Sequence, residues 1–466
     1  MRIGLLPLAR PTFDVAYAQE KLAAQLEQLN SFAASNGHDL IGGNNLLMDG
    51  DSTLAAMGDL EAQGIDHLLV LQVSFTDAAM VAKAATRFAC PLAIWAVTEP
   101  RLGGRLRLNA FCGLNLAAHA LGLRDKEFSW AFADALSAQD MSALFDGSGV
   151  TKPLPVAKDF PLDENVVAKG KAIAADLTDQ RIARLGDHPD GFDTCAYDAA
   201  KIKSLCGVSV DALDLNDLFD TAKDVADEAL APIRDVAERD VDGLGDVDQT
   251  ELTRSLKLKA ALDTIRSKGE YSAFAIRCWP ETFTEYGGAV CGPVSQMGET
   301  RIPCACEADV YGALTQMILQ AAADAPVFLT DLVDMDAADN TGVVWHCGQA
   351  PVSMRGAQDA AIATIHTNRK MPLLYEFALK PGQVTLMRLS QARGETHMVL
   401  TRAHMLERPR AFTGTSGVLR FARPVPDVLN DMMDCALEHH MALAYGDHVD
   451  TLKGVAAALN LPVLEL

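Results

Sequence analysis

The sequence lacks the glycine-rich loops that bind phosphate groups. No G-x-G-x-x-G follows the apolar run that ends at Val73, and no G-x-x-x-x-G-K-[ST] occurs anywhere in the 466 residues. Such loops bring backbone N–H groups against the phosphates of dinucleotides and nucleoside triphosphates. We therefore expect no nicotinamide, flavin or nucleotide cofactor.

The sequence is also poor in long apolar runs and in basic residues. No run approaches the roughly 18 apolar residues of a membrane helix. Forty Lys and Arg stand against 62 Asp and Glu, a net charge of −22. Such a chain repels nucleic acid and anionic lipid, so we expect neither as a partner. The apolar part of MRIGLLPLAR is too short for a signal peptide, and the ten scattered cysteines are typical of reduced thiols. We expect a cytoplasmic protein.

The first third of the chain has the pattern of alternating strands and helices. Length alone predicts about three domains. Residues Ile3–Leu8 form an apolar run, and Leu22, Leu26 and Leu29 then share one face of a predicted helix over residues 17–34. The continuous apolar runs Leu68–Val73 and Pro91–Val97 are separated by a second helical segment. Strand, helix and strand at this spacing predict a parallel sheet.

The rest of the chain changes character twice. A proline-punctuated stretch over residues 148–164 predicts the first linker. Residues 211–248 carry thirteen acids but retain helical apolar spacing from Leu215 to Val225, which indicates a solvated helix face rather than a metal cluster. From Val352 onward, short bursts of alternating apolar and polar residues predict an antiparallel barrel or sandwich.

Polar side chains stand beside predicted buried elements at several points. Glu307 precedes the predicted helix VYGALTQMILQAA; taken alone, it is an ordinary acid at a helix start, where the helix dipole favours it. Asp331 follows the apolar run 327–330, and His346 follows the run 343–345. Ligands in open α/β sheets bind beyond the carboxyl ends of strands. Two successive strand ends after a helix-start acid therefore predict a shared site.

A further candidate is Glu438-His439-His440, which directly precedes the apolar burst MALAY. A His-His pair alone is often a surface feature. Together, Glu, Asp and His provide oxygen and nitrogen ligands that suit Mn²⁺ or another divalent cation. Cys304 and Cys306 have no matching second pair, so a structural zinc site is not expected.

Six features follow one another along the chain: CWPE at 278–281, CEADVYGALT at 306–315, Asp331, WHCG at 345–348, FTGTSGVLRF at 412–421 and EHHMALAYGD at 438–447. In this order they resemble the L-fucose/L-arabinose isomerase-like superfamily, and more closely its fucose isomerase-related branch. The resemblance covers roughly residues 270–447. It implies an α/β fold with two Rossmann-like α/β domains, residues 1–155 and 156–345, followed by a C-terminal antiparallel β-barrel domain, residues 346–466.

The resemblance also implies a function and a ligand set. Glu307, Asp331 and His440 match the metal ligands of the family, and His346 resembles an additional histidine ligand of the arabinose isomerase relatives. The implied reaction is metal-dependent aldose–ketose isomerisation of an open-chain sugar through an enediolate, with Mn²⁺ or another divalent cation. Glu307 and Asp331 are the implied catalytic carboxylates, and which of them takes the carbon-bound proton stays open. The implied assembly is a homo-oligomer, a trimer or hexamer.

Two alternatives remain at this stage. One is a related metal-dependent epimerase or lyase acting on a sugar acid or a modified sugar. The other is a non-catalytic sugar-binding or regulatory protein of the same fold. Three metal ligands favour an enzyme, because a binding protein does not need them. The residues leave the identity of the sugar open.

Overall fold

The computed structural model describes residues 1–146 and 154–466, which form three sheets of five, four and nine strands. The predicted linker over residues 148–164 therefore lies partly outside the described residues. Its later part is mostly irregular and leads into a helix that begins at Glu164. Among the described residues, no helix is both long and apolar enough to cross a membrane.

The N-terminal unit alternates strands and helices, as its sequence predicts. Its elements are β1 (Arg2–Leu8), α1 (Val15–Asn36), β2 (Asp39–Gly42), α2 (Gly50–Gln63), β3 (His67–Gln72), α3 (Ala79–Arg87), β4 (Leu92–Ala96), α4 (Ala110–Gly122), β5 (Ser129–Phe132) and α5 (Ala138–Ala143). All neighbouring strands are parallel, in the order β2-β1-β3-β4-β5. Strands β3 and β4 are buried along their whole length, because helices cover both faces of such a sheet.

The second unit is built around a smaller parallel sheet in the order β7-β6-β8-β9. Its elements are α6 (Glu164–Asp176), β6 (Arg181–Leu185), α7 (Ala199–Cys206), β7 (Ser209–Leu213), α8 (Leu215–Lys223), α9 (Ala231–Asp240), α10 (Gln249–Gly269), β8 (Ala273–Ile276), α11 (Cys291–Glu299), β9 (Cys304–Ala305) and α12 (Val310–Ala323). The acidic segment forms α8 and α9. Leu215, Leu218 and Phe219 are buried on α8, as their spacing predicts.

The last unit contains a nine-stranded mixed sheet. Its elements are β10 (Phe328–Asp336), β11 (Thr341–His346), β12 (Ile362–Thr364), β13 (Leu374–Ala378), β14 (Gly382–Ser390), β15 (His397–Met405), β16 (Thr415–Phe421), α13 (Val425–Asp434), β17 (His440–Tyr445), α14 (Val449–Ala458) and β18 (Val463–Glu465). The order is β12-β13-β16-β11-β10-β17-β14-β15-β18, and β15 also pairs antiparallel with β16. The prediction of an α/β fold is confirmed. Strands β10 and β11 pair within this sheet, although they precede the boundary predicted at residue 346.

Helices α6 and α14 cross at a contact between two glycines. A Cβ added at Gly170 would lie 2.1 Å from the carbonyl carbon of Gly454 and 2.4 Å from its oxygen. These atoms belong to the backbone, so they cannot move aside as a flexible side chain can. The glycines therefore set how closely the two helices approach.

We expect Gly170→Ala to lower the free energy of unfolding by about 1–3 kcal/mol, because the added methyl overpacks this crossing. Gly58→Ala on α2 is the matched control. The nearest atom to its added Cβ is the guanidinium of Arg87, at 3.8 Å. This control should gain up to about 1 kcal/mol from better helix propensity. Urea denaturation measures both variants, and a stabilised Gly170→Ala protein would contradict the expectation.

Candidate metal centre

The register of three adjacent strands brings the central residues of the site together. Asp331 on β10 lies opposite His440 at the start of β17, and on its other side opposite Trp345, next to His346 at the end of β11. Opposed residues of an antiparallel pair have neighbouring side chains on one face. The expectation that Asp331 ends a strand was wrong: β10 continues to Asp336 and is antiparallel to both neighbours. Cross-strand pairing, rather than the edge of a parallel sheet, unites these residues.

Glu307 lies in a tight turn between β9 and α12. Its backbone φ of 59° is in the left-handed region, which residues other than glycine rarely adopt. Helix α12 begins only at Val310, and its cap is Asp309, which accepts a hydrogen bond from the N–H of Gly312. The helix-start carboxylate is thus Asp309, and Glu307 precedes it. The Trp279 indole N–H donates to Oε1 of Glu307 at 3.0 Å, which leaves Oε2 facing the site.

The ring of His440 lies between carboxylates on both sides. Its Nδ1 is 2.8 Å from Oδ2 of Asp309, while its Nε2 is 3.1 Å from Oδ1 of Asp331 and 3.3 Å from Oε2 of Glu307. These last three atoms are buried, and among the described residues they have no hydrogen-bond partner. If Nδ1 donates to Asp309, then Nε2 directs a lone pair at two carboxylate oxygens. That arrangement is repulsive unless a cation or proton lies between them, so the donor set fits a divalent cation.

Asp309 is held in turn by Arg388. Both side chains are fully buried, and the guanidinium contacts both carboxylate oxygens, with Nη2 at 3.1 Å from Oδ1. Burial raises the pKa of Asp309, but Arg388 and His440 outweigh it and hold the pKa well below its usual range. Asp309 therefore remains an anion that can orient His440, as carboxylates do behind metal-bound histidines.

The two other histidines of the site differ from His440. Nδ1 of His346 accepts the N–H of Cys347 at 2.9 Å, so the proton of a neutral ring sits on Nε2, which faces Oδ1 of Asp331 at 4.0 Å. Burial lowers the pKa of His439 to about 4, with a further contribution from His440. The His-His pair is buried on both rings, not a surface feature.

A cleft opens in front of these residues, and the N-terminal unit lines part of it. Arg10, Thr12 and Phe13 follow β1, Phe75 follows β3, and Asn109 precedes α4. The carboxyl edge of the parallel sheet thus faces the candidate metal centre, as the general rule for open α/β sheets predicts.

Buried Glu99, just beyond β4, fixes the backbone that presents Asn109. Its carboxylate accepts the N–H groups of Arg107, Leu108 and Asn109 at 2.6–2.9 Å. Burial raises the pKa of Glu99 to about 7, against the lowering effect of these hydrogen bonds. Glu99 shapes the cleft without lining it.

Sequence reasoning named the cluster but missed its support. Glu307, Asp331, His440 and His346 lie close together, and their metal-binding role stays a prediction. Asp309 and Trp279 lie inside the segments CEAD and CWPE that carried the resemblance, so the signal was present but not assigned. Nothing in the sequence indicated Arg388, which reaches Asp309 from β14, or the cleft residues of the N-terminal unit.

The arrangement combines groups able to hold a divalent cation with carboxylates able to move protons. The family model for the N-terminal domain of fucose/sulfoquinovose isomerases matches residues 4–145. The sulfoquinovose isomerase of Alkalicoccus urumqiensis is 30% identical over 99% of this chain and 98% of its own length. The sulfoquinovose isomerase of Priestia megaterium is 30% identical over 98% of this chain and 97% of its own length. That of a Clostridium species is 28% identical over 99% of this chain and 98% of its own length.

Fold, site and relatives together define an aldose–ketose isomerase of mixed α/β fold, as the sequence predicts. The chain belongs to the fucose/sulfoquinovose isomerase family. Among solved structures, a solute-binding protein from Burkholderia multivorans covers 70% of this chain at 8% identity, with a TM-score of 0.18 that carries no argument about fold or function.

We expect Arg388→Met to lower the free energy of unfolding by about 3–5 kcal/mol, because Asp309 would keep a buried charge without its guanidinium. The control is Arg408→Met, whose ion pair with Asp339 is substantially exposed and should contribute about 0–1 kcal/mol. Urea denaturation compares the two variants. Equal losses would show that the buried pair does not have this role.

Proposed function

We propose that this protein is a Mn²⁺-dependent aldose–ketose isomerase whose metal ligands are Glu307, Asp331 and His440. The observation that supports this most directly is the convergence of three buried atoms that have no hydrogen-bond partner in the part of the chain that the structure describes. They are Oε2 of Glu307, Oδ1 of Asp331 and Nε2 of His440. Two oxygens and one imidazole nitrogen suit Mn²⁺ better than a softer metal. The cluster opens into the cleft, so a substrate has access to it.

The reaction transfers a proton between C1 and C2 of an open-chain sugar and another between their oxygens. A bound divalent cation supplies Lewis acidity toward these oxygens. Glu307 and Asp331 both face Nε2 of His440, at 3.3 and 3.1 Å, so either carboxylate can take the carbon-bound proton while the other serves the oxygens. Asp309 fixes the orientation of His440 through Nδ1.

In this proposal His346 is not a fourth metal ligand. Its Nδ1 accepts a backbone N–H, so Nε2 of the neutral ring carries a proton. A protonated Nε2 does not bind a metal, but it donates a hydrogen bond to a substrate oxygen beside Asp331. The stacked Trp345 ring, at 6.1 Å between centroids, helps to fix this orientation.

We propose sulfoquinovose as the substrate, by analogy with the relatives that match almost the full chain. This sugar is a glucose derivative with a sulfonate on C6. The alternatives of an epimerase, a lyase or a binding protein have no comparable support among these relatives.

We also propose a barrel, a division into domains and an assembly for this protein. Pairing of β15 with β16 supports closure of β16, β11, β10, β17, β14 and β15 into the antiparallel barrel that the sequence predicts. The three-domain division follows the three sheets, with β10 and β11 favouring a second boundary near residue 326 rather than 346. A trimer or hexamer remains the expected assembly.

We expect Glu307→Gln and Asp331→Asn each to lower kcat by about 10²–10⁴-fold, because each removes a proton carrier. Both should also weaken Mn²⁺ binding in calorimetry. Asp336→Asn, at the end of the same strand β10, is the control, since an amide oxygen can still accept from the N–H groups of Ala338 and Asp339. Retained turnover in the first two variants would contradict the site assignment.

Turnover in D₂O should place deuterium at C2 of the aldose or C1 of the ketose, since a carboxylate-bound proton exchanges with solvent. Excess EDTA should abolish activity, and Mn²⁺ should restore it better than Ca²⁺, whose coordination is larger and looser. NMR detects the label. Products free of deuterium would indicate a hydride shift, and full activity in EDTA would refute metal dependence.

A further inference from the structure

Two arginines flank one tryptophan in the cleft. The guanidinium carbon of Arg10 lies 5.5 Å from the centroid of the Trp279 ring, and that of Arg369 lies 5.6 Å from it. Arg10 comes from the loop after β1, and Arg369 from the loop between β12 and β13. Loops from the first and the last units of the chain thus place two cations beside one indole.

Of these two cations, only Arg10 has an ion-pair partner among the described residues. Asp77 contacts one nitrogen of Arg10 at 3.0 Å. In residues 1–146 and 154–466, the side chain of Arg369 forms neither a hydrogen bond nor an ion pair. Burial lowers the pKa of Arg369, and neighbouring Arg10 lowers it further. In a chain of net charge −22, paired arginines without a full set of acids create a local site for an anion.

The loop that carries Arg369 is held in place by hydrogen bonds. Nδ1 of His366 accepts the N–H groups of Asn368 and Arg369, both at 3.2 Å. Arg105 joins this loop to the N-terminal unit, since its Nε donates to Oδ1 of Asn368 and its Nη2 to the carbonyl of Thr12. The two arginines are therefore presented by connected loops, with Thr12 and Asn368 also lining the cleft.

Trp279 connects this cationic end to the candidate metal centre. Its indole N–H donates to Glu307, while the arginines lie over its ring. The cleft consequently has carboxylates at one end and guanidinium groups at the other. A ligand that matches it is uncharged at its reactive end and anionic at its remote end.

We propose that Arg10 and Arg369 form the subsite that binds the sulfonate of an open-chain sugar, opposite the carbonyl end at the metal centre. The inference rests on the proposed isomerase function and adds the residues that select the substrate. Guanidinium groups present forked N–H donors that suit a tetrahedral oxyanion, and they stack on aromatic rings while doing so. The other interpretation is that Arg369 only packs on Trp279 and stabilises the loop.

Kinetics with a charged and an uncharged substrate distinguish a sulfonate-binding role of Arg369 from a packing role. The substrates are sulfoquinovose and quinovose, which carries a methyl group in place of the sulfonated carbon. We expect Arg369→Gln to lower kcat/KM for sulfoquinovose by about 10–100-fold, the effect of losing a charge-assisted hydrogen bond, mainly through KM. Turnover of quinovose should stay within about threefold. Arg369→Lys should lie between, because it keeps the charge and loses the fork.

Arg408→Gln removes one positive charge outside the cleft and is the control; it should leave both substrates unaffected. Equal losses on both sugars in Arg369→Gln would assign Arg369 a structural role and overturn the proposal, as would no loss on either. Calorimetry with the sulfonated and the unsulfonated open-chain polyol tests the subsite separately. If the wild-type protein turns over neither sugar but binds only the sulfonated polyol, the subsite stands and the isomerase proposal fails.

Discussion

The buried carboxylate of Asp309 is the contact on which the site depends. It caps helix α12, pairs with Arg388 on β14 and accepts from Nδ1 of His440 on β17. One side chain therefore joins the end of the second unit to two strands of the nine-stranded sheet. Its negative charge persists without water because Arg388 compensates it at close range. Without this anion, neither the tautomer of His440 nor its position beside Asp331 and Glu307 would be determined.

Sequence patterns predicted the helices and strands whose buried side chains recur at a regular spacing. The fully apolar runs became β3 and β4, and the spaced leucines before them became α1, because helices and strands bury side chains with different periods. That Glu307, Asp331 and His440 bind a metal stays a prediction, but these residues were indicated, since carboxylates and imidazoles beside apolar segments are visible in one dimension. Their geometry was not: Asp331 was expected at the edge of a parallel sheet and instead lies within an antiparallel strand. Register between β10 and β17, separated by more than a hundred residues, is a tertiary property that no local pattern encodes.

Some residues of the cleft have no local sequence pattern that could have indicated them. Arg10 and Arg369 have ordinary sequence surroundings and acquire their significance only from a shared neighbour, Trp279. Placing them requires both the parallel sheet of the N-terminal unit and a loop of the last unit. Glu99 similarly acts indirectly, because it accepts hydrogen bonds from the backbone N–H groups of Leu108 and Asn109. Such supporting residues depend on the docking of whole units and so lie beyond sequence reasoning.

The thiols around the cleft affect which metal ions its wall can bind. Cys112, Cys306 and Cys347 line the cleft. Burial raises the pKa of Cys112 and Cys347, and a hydrogen bond with Cys278, together with burial, raises the pKa of Cys306. A thiol must lose its proton before it binds a soft ion such as Zn²⁺ or Cu⁺. The raised pKa makes this loss of a proton less favourable, so these sulfurs are weaker ligands for a soft ion than exposed cysteines are. As neutral thiols they also add no charge to the cleft.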